Sequence, residues 1–170
     1  MAERKIISMQ TLSSKMLLKL TPASCIMNTK ITDIVVAATD KSTPTIAMVQ
    51  RQVGKPNLIK LLQTWLMYLN EILAIPNPMT EDQIVLASMK ISNDYYMLRF
   101  ADLTVLFNNI IDGKYGKRFG RLGIDDLMQL FKKYFEERCE LSAGANNSKS
   151  IEHKQNLGDL GIERISKNRR

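Results

Sequence analysis

The residues that make up most active sites are scarce in this chain. Its 170 residues include one histidine, His153, and two cysteines, Cys25 and Cys139. A single histidine offers no His–His pair for a metal, and His153 stands in a polar C-terminal stretch where an imidazole is ordinarily solvated. The cysteines lie far apart with no close-spaced Cys or His beside them. That spacing excludes the usual zinc patterns and predicts two reduced thiols. No Gly-x-x-x-x-Gly-Lys-Ser/Thr loop, Gly-x-Ser-x-Gly elbow or His-Glu-x-x-His pair occurs, so a P-loop motor is excluded. The carboxylate pairs have plainer readings. Asp125-Asp126 fits a helix N-terminus, and Glu136-Glu137 stands among Lys132, Lys133 and Arg138 at ion-pair spacing. The expectation is a non-enzyme with no catalytic residue, no metal and no cofactor.

Long apolar runs are missing too. The richest stretch, Leu58 to Ile75, is broken by Lys60, Gln63, Asn70 and Glu71, so no membrane span is expected. The opening Met1-Ala2-Glu3-Arg4-Lys5 leads into no long apolar run, which argues against a signal peptide and for a cytoplasmic protein. Acid is the minority charge: 17 Asp and Glu stand against 24 Lys and Arg, for a net +7. Such a balance favours an anionic partner, such as nucleic acid, an acidic protein or a membrane surface. A hydrophobic share of 45% supplies one core. The ten methionines are scattered in phase with apolar neighbours and read as core packing.

The pattern along the chain is helical. Thr21-Pro22 ends a weakly periodic first stretch. Asn28-Thr29 offers a cap for a short helix through Ile31, Ile34, Val35 and Ala38, although the β-branched run from Ile31 to Val36 also suits a strand. Thr43-Pro44 opens a helix to about Val53, and Gly54-Lys55-Pro56 interrupts it. Leu58, Leu61, Leu62, Trp65, Leu66, Leu69, Ile72 and Leu73 then form a broad apolar stripe around which the other helices are expected to pack. Pro76-Asn77-Pro78 closes that helix, and Thr80-Glu81-Asp82-Gln83 is a capping box for the next, with Ile84, Ala87 and Ile91 inward. Leu103, Leu106, Phe107 and Ile110 mark a helix from about Phe100 to Asp112, ended by Gly113. Leu127, Leu130, Phe131, Tyr134 and Phe135 mark a last one after Gly123. The prediction is a single compact all-α domain of five to seven helices over residues 1–141. A short turn or β-like loop occupies 113–123, and a flexible basic tail covers 142–170.

Within that loop Lys114, Lys117, Arg118 and Arg121 are interleaved with Tyr115 and Phe119 and punctuated by glycines. Cations meet phosphates, aromatics stack on bases, and glycine lets a backbone approach closely. The same residues suit a tight turn whose aromatics tuck into the core, or a contact with a protein partner. Nucleic-acid binding here would be non-specific and salt-sensitive. Lys167, Arg169 and Arg170 offer a secondary basic contact.

The pattern Tyr95-Tyr96, Ala101-Asp102-Leu103, Phe107, Asp112 to Lys117, Phe119-Gly120, Asp126-Leu127 and Tyr134 to Arg138 resembles a poorly characterised group of small helical proteins. These are encoded by bacteriophages and mobile elements of gut bacteria. The likeness covers roughly residues 80 to 140 and rests on Gly113-Lys114-Tyr115-Gly116 with the downstream Tyr134-x-x-x-Arg138. More faintly, the arrangement is similar to the helical domains of phage helicase loaders and replisome accessory proteins, without their ATPase module. The resemblance implies a replication accessory in the bacterial host cell, with the Lys114–Arg121 loop meeting nucleic acid or a replicative helicase. The alternative is a phage structural or virion-associated protein, held by protein–protein contacts.

Overall fold

Proline, glycine and short polar caps set the helix boundaries of this chain. The computed structural model describes residues 15–28, 31, 33–116 and 120–144. Helix α1, described over residues 15–19, stops before Pro22, which opens α2 (Pro22–Asn28). A fixed φ and a missing N–H suit proline to a first helical position. The next segment is helix rather than strand. Asp33, not Asn28-Thr29, caps α3 (Ile34–Thr39), its carboxylate accepting from the amides of Val35 at 2.6 Å and Val36 at 3.2 Å. Helix α4 (Ile46–Val53) starts later than Thr43-Pro44 suggested, on a Thr45 cap. Pro44 belongs instead to the connection, where its carbonyl accepts from Phe100 N at 3.1 Å.

Gly54 and Pro56 open α5 (Lys55–Leu73), and the Thr80 capping box opens α6 (Glu81–Asp94). Between them Asn70 closes the hairpin, donating from Nδ2 to Met79 O at 2.9 Å and accepting from Met79 N at 3.2 Å. Helix α7 (Phe100–Ile111) ends at Gly113, whose φ of 73° is the left-handed turn that glycine adopts without a side-chain clash. Helix α8 is described over residues 124–144, past the expected end of the domain at 141. The expected tail from 145 onward lies outside the described residues.

The described residues thus form an all-α fold of eight helices with no strand, against the five to seven expected. The count rises because the breaks at Pro22 and before Asp33 leave short, separate helices. The α2, α4, α6 and α7 helices all pack against α5, as its apolar stripe predicts. Helix α7 is the more deeply buried of the two, with nine of its twelve residues buried against seven of nineteen in α5. Trp65 of α5 meets Phe107 edge-on at 5.1 Å and Phe100 at 6.2 Å, and its indole N–H donates to Leu20 O at 2.8 Å. Ile72, expected inward, is exposed.

The core position of α5 predicts an asymmetric response on adjacent residues. Leu66→Ala, at a fully buried site, should lower the unfolding free energy by about 2–5 kcal/mol. Met67→Ala, at a site 59% exposed, should change it by less than about 0.5 kcal/mol. Urea titration followed by circular dichroism measures both.

Candidate functional site

The loop singled out by its charge is held at two ends by different parts of the fold. At its start Gly113 and Lys114 bond back to the last turn of α7, through Ile110 O at 3.1 Å and Asn109 O at 2.9 Å. This turns Tyr115 toward the middle of α8. The ring is half-buried against the core, and its hydroxyl donates to Glu137 Oε2 at 3.3 Å. Lys133 stands 5.1 Å and Lys114 5.9 Å from the ring centre, both within cation–π range. Burial, the largest cause, and the Glu137 carboxylate push the Tyr115 hydroxyl up to about 12. The Lys114 ammonium, about half exposed, lies 3.9 Å from the same carboxylate.

At the loop's other end the anchor is the α5–α6 turn. Asn77 N donates to Gly120 O at 3.0 Å, and Leu122 N donates to Asn77 O at 3.2 Å. This isolated bridge pairs Asn77 with Arg121 and is the β-like character expected of the segment. Arg121 lines an open groove of about 730 Å³ together with Asn77, Leu86, Lys90 and Asp125. Along α8, the stretch from Gly123 to residues 133–137 spans roughly 15–21 Å at the helical rise. Lys114 and Arg121 are therefore not parts of one cluster. Lys117, Arg118 and Phe119 lie outside the described residues, as do Lys167, Arg169 and Arg170.

The polar centre that charge counting missed lies between α7 and α8. Asp102, on α7, is fully buried. Its Oδ2 accepts from Arg99 N at 2.8 Å, and its Oδ1 accepts from Tyr134 Oη at 2.9 Å and Arg138 Nε at 3.0 Å. Burial and the carboxylate together drive the Tyr134 hydroxyl far up from its ordinary value. A signal for this existed: Tyr134 and Arg138 are four apart and so share one face of α8. Asp102, 32 and 36 residues before them, stands with both in the pattern that carried the resemblance, but nothing local says that the three meet.

In each of the two carboxylate pairs at least one member has a structural partner. Asp126 accepts from Gly123 N at 3.0 Å, fitting the start of α8, while Glu136 lies 3.9 Å from Lys132. Among the described residues no cluster of three His, Cys, Asp or Glu side chains is placed to hold a metal. No described helix is long and apolar enough to cross a membrane. Cys25 is buried and Cys139 exposed. Burial lifts the Cys25 thiol to about 11.

Asp102→Asn removes the charge that Arg138 faces while keeping the shape, and should destabilise the protein by about 3 kcal/mol. Tyr134→Phe removes one bond and should cost about 1–1.5 kcal/mol; thermal melts compare the two. The Tyr115 shift has a definite sign. Its phenol ionises near 10 when unfolded and near 12 when folded, so its contribution is intact below pH 10 and fades as pH rises from 10 toward 12. Tyr115→Phe should flatten part of that alkaline loss in denaturant titrations across the window. Compared with family models, curated proteins and solved structures, the chain matches none of them.

Proposed function

We propose that this chain is a non-enzymatic accessory protein of a bacteriophage or mobile element, binding nucleic acid, a replication protein or both through the 113–123 loop and its flanking cations. The observation that carries the reading is the pair of exposed cations beside Tyr115, Lys114 and Lys133. Lys114 and, next to Lys133, Lys132 contact Glu137 and Glu136 only at 3.9 Å, and both lysines stand well exposed. Such surface pairs contribute about 0–1 kcal/mol, so a phosphate or an acidic side chain can replace the carboxylates. Arg138 differs, since Asp102 holds it inside.

The geometry also shapes how the loop would bind. Tyr115 is bonded to Glu137 and approached by two lysines, so it anchors the loop instead of offering a base a free stacking face. Contact would run through phosphates and charge, with little sequence selection.

A protein partner has its own support. Methionines expected in the core stand outside: Met48, Met67, Met89 and Met97 are each about half exposed. On α6, Val85, Leu86 and Met89 are exposed while Ser88 and Ser92 are buried, the reverse of ordinary amphipathic order. Exposed Met-rich surface is adaptable binding surface. A replicative helicase or a phage structural component are the partner classes that the resemblance implies.

Fluorescence anisotropy with labelled duplex and single-stranded DNA tests the nucleic-acid arm. If four phosphates are engaged, log K should fall against log salt with a slope of about −3.6 for duplex. The Lys114, Lys117, Arg118 and Arg121 quadruple Ala variant should stay helical and lose affinity about tenfold or more at low salt. Unchanged affinity in that variant would sink the loop as the DNA contact.

A further inference from the structure

A second surface has the opposite chemistry. Between α5 and α6 runs an open groove of about 600 Å³ whose apolar lining includes Met67, Met79, Ile84 and Val85. Met79 and Ile84 form its buried floor, while Met67 is 59% and Val85 39% exposed. Its charged lining residues are Glu71 and Glu81, and no described cation lines it. In a chain of net charge +7, an apolar groove edged only by carboxylates suits a basic segment that carries apolar side chains.

The chain contains one. Leu157, Leu160, Ile162 and Ile165, with Asp159 and Glu163 among them, are followed by Lys167, Arg169 and Arg170; from Arg164 onward no acid occurs, and residues 157–170 carry four cations against two acids. The reach is sufficient. Ile124, at the start of α8, shares the neighbouring groove with Pro78, and Pro78 also lines this one. From residue 124 to 144 the helix leads about 30 Å away at its usual rise. Residues 145–156 can span about 40 Å when extended, enough to bring Leu157 back to Pro78.

We propose that residues 157–170 dock in the α5–α6 groove of their own chain, the apolar side chains on Met67 and Val85 and the terminal cations toward Glu71 and Glu81. The groove would then be a self-occupied surface, available to a basic partner segment only when the tail is displaced. This does not rest on the loop's function, since the loop variant above leaves both groove and tail intact.

Carbodiimide coupling of the full chain, with light and isotopically heavy copies mixed, tests it directly. Adducts joining Glu71 or Glu81 to Lys167 within one chain are the expected result. Adducts only between light and heavy chains would assign the groove to a second copy, and no adduct would leave it without the tail; either overturns the proposal. In parallel, the Met67→Asp, Val85→Asp double variant changes two exposed positions. It should keep its helix content while trypsin cleavage after Arg164 and Lys167 accelerates about fivefold or more. Equal cleavage rates in variant and wild type contradict docking.

Discussion

A buried carboxylate must be satisfied or expelled, and this fold is arranged so that Asp102 is satisfied. An uncompensated charge at that depth would cost several kcal/mol. The three donors that prevent it come from different places: the backbone just before α7, and two side chains on α8. Arg99 extends the network, its Nη1 donating to Thr43 O at 2.7 Å in the connection before α4. One side chain therefore fixes how α8 lies along α7, and with it the two points between which the 113–123 loop must run. The aromatic layer of Tyr95 with Phe131 and Phe135, at 5.2 and 5.9 Å, seals the same helix along its apolar face.

Much of the fold could be read in advance because its signals are local. Thr80 and Gln83 are three apart, and both capping-box hydrogen bonds form. The α5 stripe is inside from Leu58 to Leu69, while at its C-terminal end Leu73 is partly buried and Ile72 exposed. What escaped were effects of long-range context. The apolar period of α7 marks one buried face, but neighbours cover the opposite side as well, burying Ala101, Thr104 and Val105. Thr104 is tolerated there because its hydroxyl donates to Phe100 O at 2.9 Å. The Thr43-Pro44 dipeptide suits a helix start as well as a connection, and the bond from Phe100 N to the Pro44 carbonyl decides for the connection.

The candidate site was legible as composition and not as geometry. A run of cations in sequence suggests one patch, yet chain direction decides otherwise. Lys114 is drawn toward Glu137 and Arg121 toward the α5–α6 turn, and these anchors lie far apart along α8. Tyr115 shows the same tension. Its position among cations suggests a stacking platform, whereas its hydroxyl and one lysine-flanked ring make it the loop's tether. Lys132 and Lys133, which belong to the next helix, add to the positive character of the region.

Helix α6 carries a different kind of consequence. Its inward face is built from Ile84, Ala87, Ser88, Ile91 and Ser92, mostly small residues, and the Ser88 hydroxyl donates to Ile84 O at 2.7 Å within the helix itself. The hairpin is therefore locked by side chains that do not appear on its outer surface. Val85, Leu86, Met89 and Lys90 can be exchanged over generations with little penalty to packing. What α6 presents to the outside is thus set apart from what holds the hairpin together.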